Sequence, residues 1–364
     1  MPRCYILGLK LHCRKLRNEV VRLFQIAYKR FISWLSTSRY KILNLIHNFL
    51  RKLKKHIYTS PFLRIFSFFY TLYVLFPEVR RRHIGLLGAS ESYYFEIRRE
   101  IHRIEKGLSF KVKRKTFGRD SILRISELLT LENIQLDFQT EGWCFNVLDN
   151  YIREGCPPDC LKDAQLAKAK LGASLDEKQR PYLPQNIIDI SPDAICSLMG
   201  NRRSIRFFEN EIISERLVSS LVTQAATSPS ACNRLPFSVI ALQGEQAAEC
   251  CAIAAGTAGW SGQVNNLLVL KYSCGAYTDP KDFKAPIVDA SLFAMQFLLL
   301  LEAYKFGGCI INWGEMKNRE KLIRRKIKIK KHESIVCLIA FGKPDRSVKV
   351  PSSIKRMVNS DASF

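Results

Sequence analysis

Apolar residues recur at three- and four-residue intervals over residues 90–105 (SESYYFEIRREIHRIE), where Ser90 suits a helix cap and Gly107 a helix end. The same spacing predicts helices over residues 122–136 and 161–171, the second ending before Gly172. Residues 181–192 are rich in turn formers and mark a crossing to a second unit. There Ser191 and Pro192 suit the cap and first turn of one helix, and Ser214 caps another over residues 214–227. Residues 247–255 and 287–306 complete the helical set, with Gly307 and Gly308 read as the stop of the last. Short apolar runs at 237–242 (FSVIAL), 266–272, 309–313 and 335–341 read as strands. Helices alternating with few strands predict an α+β domain with a central mixed sheet flanked by helices. The apolar face over residues 289–304 is broad enough for a domain centre or a dimer interface.

Residues 1–83 follow another pattern, basic and apolar together. Residues 20–32 and 40–53 mix bulky apolar side chains with Lys and Arg at spacings that permit amphipathic helices. Residues 61–77 (PFLRIFSFFYTLYVLFP) are the most hydrophobic run, yet they are interrupted by Arg64 and are shorter than the span of about 20 residues that crosses a bilayer. The reading is a helical N-terminal extension that either lies peripherally on anionic lipid at the inner face of a membrane or packs on the rest of the protein. Three regions result: a basic extension over 1–83, a helical region over 84–190 that packs on the catalytic domain, and a domain over 191–364.

Composition narrows the classes. The 364 residues are 47% hydrophobic, enough for a packed core, and carry a formal charge of +24, of which residues 1–83 supply +16. No zinc-finger or RNA-binding motif accompanies that charge, so specific nucleic-acid recognition is not expected. The 12 cysteines form no zinc or iron–sulfur series; Cys156 and Cys160 come closest but lack flanking ligands. A reducing, cytoplasmic setting fits best. The first 15 residues lack a secretory apolar core, although their scarcity of acidic residues also suits a mitochondrial presequence. His102, Glu105 and Lys106 share helical turns and read as an ion-paired helix end or a charged site at the domain junction.

Two segments carry the chemistry. Residues 201–207 (NRRSIRF) gather Arg202, Arg203, Ser204 and Arg206, cationic and hydroxyl donors able to hold a phosphate, though alone they also read as a charged turn. Residues 228–237 (SPSACNRLPF) place Asn233 in a turn-rich loop before an apolar strand. Together with residues 289–314 and the 335–342 strand, these pieces resemble, in order, the flavin-dependent nitroreductase family over residues 192–359.

The resemblance implies an α+β fold that dimerises, with FMN at the dimer interface and NAD(P)H as reductant of the flavin before a small organic acceptor enters the same cleft. By that match Arg202, Arg203, Ser204 and Arg206 hold the phosphate and ribityl side, and Lys355 and Arg356 close on the phosphate from a C-terminal segment. Asn233 sits by the flavin ring, Pro229, Ser230, Pro236 and Phe237 shape its wall, and Gly314 falls near the ring. Phe237 and Trp260 are the substrate-side candidates, although Trp260 also reads as a core residue. No protein nucleophile is needed, and Cys232 reads as loop structure. The chain departs from the family at Leu235, where members commonly carry glutamine, and in the compact interval between Phe237 and Asp289, which leaves little chain for a lid. Residues 102–108 and Phe117–Gly118 resemble a region preceding such domains in bacterial polysaccharide-biosynthesis proteins. A flavin-dependent dehydrogenase, or a non-catalytic flavin-fold partner of a membrane complex, therefore stands beside the reductase reading.

Overall fold

Strand β2 (Asn266–Ser273) is buried at every position, so both of its faces must be covered. It lies beside β4 (Glu333–Gly342), and the edges are β1 (Phe237–Gln243) and β3 (Gly307–Asn312), giving the order β1-β2-β4-β3. The structure, a computed structural model, describes residues 76, 78–81, 90–112, 117–131, 134–172, 181, 183, 189–314 and 317–355. The chain divides into the units Met1–Phe76 and Pro77–Phe364. The extension expected over residues 1–83 lies outside the described residues up to position 75.

All three strand pairings are antiparallel, which corrects the expected mixed sheet. The one parallel contact among the described residues is an isolated bridge between Ser204 and Gly308. Alternation along β2 sends Leu268 and Leu270 to one face, where they meet α6 (Glu215–Ala225) and α8 (Ala285–Ala303) through Leu221, Phe293, Phe297 and Leu301. Phe297 stands edge-on to Phe341 of β4 at 5.6 Å between centroids. Leu267 and Val269 point the other way, toward α7 (Gly244–Ile253), Trp260 and Ile323 of α9 (Lys317–Lys326). Helix α9 has almost no apolar period to betray it in sequence, because it is basic nearly all round. Among the described residues α8 alone is long and apolar enough to cross a membrane, with a mean hydropathy of 1.5, and its inner face belongs to the sheet core.

Gly307 and Gly308 do not stop α8. The helix ends on Lys305 in the left-handed conformation (φ 63°), with Lys305 N–H bonded to Glu302 O at 3.0 Å and Phe306 N–H to Leu301 O at 2.8 Å. The two glycines lie within β3, where a Cβ on Gly307 would meet Ile205 Cγ1 at 2.5 Å and one on Gly308 would meet Leu298 Cδ2 at 2.7 Å. They are required for close approach.

Residues 90–172 form a helical layer with its own core. Helices α1 (Ser90–Leu108), α2 (Arg119–Leu128) and α4 (Leu161–Ala169) sit near their expected positions, α2 ending earlier than expected. Helix α3 (Phe138–Glu154) was not expected; Asp137 caps it by accepting from Thr140 N–H at 3.0 Å, and Trp143, Val147, Leu148 and Tyr151 fill the layer's core. His102 Nδ1 lies 3.3 Å from Glu105 Oε2 near the end of α1, with Glu105 also accepting from Trp143 Nε1 at 3.0 Å. Ahead of this layer, buried Glu78 accepts from Tyr272 Oη and Ser334 Oγ, fixing residues 78–81 against β2 and β4.

Candidate functional site

Helix α5 (Pro192–Asn201) ends where Arg202 turns extended (φ −56°, ψ 123°). The chain then runs along the sheet margin. Ile205 N–H bonds Gly308 O at 3.2 Å, Asp345 N–H bonds Phe207 O at 3.1 Å, and Glu209 N–H bonds Lys343 O at 2.8 Å. Residues 204–209 thus lie between β3 and the segment after β4, with Ile205 and Phe207 packed on the core. In an extended segment, alternate positions share a side, so Arg202, Ser204 and Arg206 face together.

That side opens on a cavity of about 470 Å³ lined by Arg202, Arg203, Ser204, Arg206 and, from the returning C-terminal segment, Lys355. Among the described residues no carboxylate lies within ion-pair distance of the three arginines. Arg203 Nη1 folds back onto the carbonyls of Gly200 and Arg202, and Arg206 Nη1 reaches Ser204 O at 3.4 Å. Beneath them, burial pushes the Cys309 thiol above its usual range, while Arg206 and Arg202 pull it the other way. Arg356 lies outside the described residues.

The loop before β1 is a second construction. A single 3-10 turn, Ala231–Asn233, holds Cys232 and Asn233 at φ 56° and 51°, and Leu235 follows at φ 50°. Three left-handed residues without a glycine need outside support. Ser230 Oγ accepts from Leu235 N–H at 3.0 Å, and Asp289 of α8 accepts from Ala231 N–H at 3.1 Å and from Tyr277 Oη. Burial raises the Asp289 carboxyl above the usual range, against the opposing pull of those hydrogen bonds and of Arg234. Arg98, on α1, donates from Nε to Asn233 O at 2.8 Å and from Nη1 to Thr140 Oγ1 at 2.6 Å, with its guanidinium 5.0 Å from the Trp143 ring centroid.

Arg98, Tyr277 and Asp289 were missed in sequence. Asp289 alone left a signal, as an acid inside an otherwise apolar helix. Of the expected residues, the cavity gathers Arg202, Arg203, Ser204, Arg206 and Lys355; it is not lined by Pro229, Ser230, Asn233, Phe237, Trp260 or Gly314. Phe237 stacks at a tilt on Phe293 at 5.0 Å, and Gly314 is exposed with open space around it. Trp260 is 8% exposed, donates to Gly256 O at 3.0 Å and packs in the core, so it does not form an open substrate loop.

The nitroreductase family model matches residues 199–266 and 252–343, taking in the arginine segment, the strained loop and all four strands. Together these matches span residues 199–343, less than half of the chain. At the level of general class, the nitroreductase assignment gives the domain FMN-dependent oxidoreductase activity. The helical layer and Lys355 lie outside the match. Similar solved structures include a nitroreductase-like protein from Streptococcus mutans, 14% identical, covering 47% of this chain and 98% of that one with a TM-score of 0.42. An FMN-dependent nitroreductase from Clostridium difficile is 20% identical, covering 43% and 91%, with a TM-score of 0.37. A nitroreductase family protein from Streptococcus pneumoniae is 17% identical, covering 45% and 100%, with a TM-score of 0.37. No curated protein matches the chain.

Proposed function

We propose that this protein uses NAD(P)H to reduce a small organic acceptor through FMN held in the arginine cavity, working as a homodimer. The observation that carries the reading is a cavity whose three arginines and serine hydroxyl fall within the nitroreductase match, joined by Lys355 from outside it, with no acidic partner for the arginines among the described residues. A dianionic phosphate matches that donor set in charge and hydrogen-bonding capacity. Arg202, Arg206 and Ser204 hold the phosphate from the sheet margin, and Lys355 closes from the C-terminal side. Asn233, with Pro229 and Ser230, forms the ring-side wall. FMN, when bound, supplies the hydride chemistry, and the chain supplies binding, orientation and exclusion of water.

The dimer reading has its own support. Helix α5 buries no residue, leaving Ile195 and Met199 exposed, and α8 exposes Ile287, Val288, Leu292 and Met295. Each such side chain, already about half covered, contributes roughly 1 kcal/mol when a partner covers the rest. A second copy on this face would also bring a second set of loops to the cleft.

Absorbance spectroscopy and FMN titration of the full chain test the proposal. Flavin peaks are expected, with bleaching by NADH or NADPH without oxygen. Arg202→Ala with Arg206→Ala should weaken FMN binding on the order of 100-fold with the fold preserved. A folded protein that neither carries nor binds FMN would sink the reading. Flavin that binds but does not bleach would favour the dehydrogenase or the non-catalytic flavin-fold partner, the second of which Leu235 and the compact interval after Phe237 also support.

A further inference from the structure

Residues 317–332 carry nine Lys or Arg and one acid, a net +8 that equals the whole net charge of residues 84–364. The proposed flavin chemistry uses none of it. Part of this charge is committed within the molecule: Arg324 binds Glu320 at 2.7 Å and the carbonyls of Ile329, Lys330 and Glu333, closing the end of α9, while Lys326 pairs with Glu249 at 2.6 Å and Lys330 with Glu91 at 3.6 Å. Lys321, Arg325, Lys328 and Lys331 are exposed, and among the described residues no carboxylate lies within ion-pair distance of them. Lys321 and Arg325 repel across one helical turn, a cost the fold bears without internal compensation.

We infer that the exposed side of residues 318–331 is a docking surface for an anionic lipid bilayer. Charge complementarity alone would also admit a nucleic acid, and two further observations favour lipid. Leu322 stands 47% exposed among the lysines, and a leucine flanked by basic stems suits the boundary between headgroups and acyl chains, where it can be buried, better than a phosphate backbone. Continuity supplies the second. Arg81 Nη1 lies 3.8 Å from Glu320 Oε1, and the buried Glu78 pins the same short segment to β2 and β4. Residues 78–81 are therefore fixed beside α9, and in sequence they follow residues 61–77, the most apolar run. A basic surface and an apolar run in the sequence give two weak membrane signals on one chain, the combination that stable peripheral attachment requires.

The test is sedimentation of the full chain with vesicles of phosphatidylcholine alone and of phosphatidylcholine with phosphatidylserine. Hydrogen exchange over residues 317–331 is followed in the same mixtures. Binding and slowed exchange are expected only with the anionic vesicles, weakening as salt is raised. Replacing Lys321, Arg325, Lys328 and Lys331 by Gln should weaken vesicle binding roughly tenfold or more while circular dichroism stays unchanged. Equal sedimentation of the variant, or exchange over 317–331 that anionic vesicles leave unaltered in the wild type, overturns the assignment. So does a variant that loses binding to duplex DNA or RNA while keeping its vesicle binding, which would give the surface to nucleic acid. Because exchange is read on the unaltered protein, the inference remains open to refutation even if the variant folds poorly.

Discussion

The arginine cavity and the loop over residues 228–236 are built on opposite plans. In the cavity, backbone groups are paired along β3 and residues 343–345, while Arg202, Arg203 and Arg206 have no acidic partner among the described residues. In the loop, charged and polar side chains are taken up in holding the backbone: Arg98 on Asn233 O, Asp289 on Ala231 N–H, Ser230 on Leu235 N–H. One region keeps its charge available, and its arginine segment rests on a backbone without a left-handed residue. The other commits its charge to a backbone that would not keep that shape unaided. On the proposed FMN reading, a phosphate offers charge to be matched, whereas a planar ring must be met by shape, and the two plans suit those two demands.

Breaking the loop's outside support should have the largest effect. Arg98 is 7% exposed, and Arg98→Met removes the donor to the buried Thr140 Oγ1 and to the half-buried Asn233 O. We expect a loss of about 2–4 kcal/mol in urea unfolding, partly recovered by Arg98→Lys, with weaker FMN binding as the loop relaxes. Arg202→Ala should do the reverse, changing stability by no more than about 0.5 kcal/mol while FMN affinity falls. If Arg98→Met unfolds like the wild type, the helical layer does not hold the loop and the contrast fails on that side.

The cavity was legible in sequence because its chemistry is local: four donors within five positions, on a segment whose extended conformation follows from the turn after α5. The sheet was legible because apolar strand patterns survive in isolation. The loop's supports were hidden for a physical reason. Arg98 sits on a helix where an arginine reads as an ordinary surface charge, and its acceptor is 135 residues away. A glycine pair after a long apolar helix looks like a stop, whereas the steric demand on Gly307 comes from Ile205, far off in sequence, and that on Gly308 from Leu298 of α8 once β3 folds back over it. Helix α3 was overlooked although Asp137 and the spacing of Trp143, Val147 and Tyr151 announce it; Gly142 and the clustered aromatics obscured the period.

Asp289 sharpens the comparison through pH. Its folded carboxyl titrates above the usual value because burial disfavours the charge. The native state therefore holds its proton where the unfolded chain, titrating near pH 4, has already lost it. The contribution of this site to stability is greatest below that value and falls as pH rises through the folded pKa. Asp289→Asn keeps an oxygen to accept from Ala231 N–H, sets an amide N–H that donates to Tyr277 Oη in place of the second acceptor, and cannot ionise, so this part of the decline should vanish in urea unfolding compared from pH 4 upward. A variant whose stability falls with pH as steeply as the wild type would show that the loop's anchor is not the group that titrates.

The smallest effect concerns strain itself. Cys232 holds φ 56° with no glycine to ease it, a conformation that costs an L-residue roughly 1–2 kcal/mol and that asparagine adopts more readily. Cys232 is half-buried and donates no side-chain hydrogen bond to another described residue, so little packing is forfeited by replacing it. Cys232→Asn should raise stability by about 0.5 kcal/mol, read as a shift in the urea midpoint at constant slope. Arg203→Asn, beside Arg202 at φ −56° in the cavity, should bring no such gain, since there is no left-handed residue at that turn to relieve. A loss of stability in Cys232→Asn would mean that the thiol's own packing, and not only Arg98, Ser230 and Asp289, keeps the loop in its strained form.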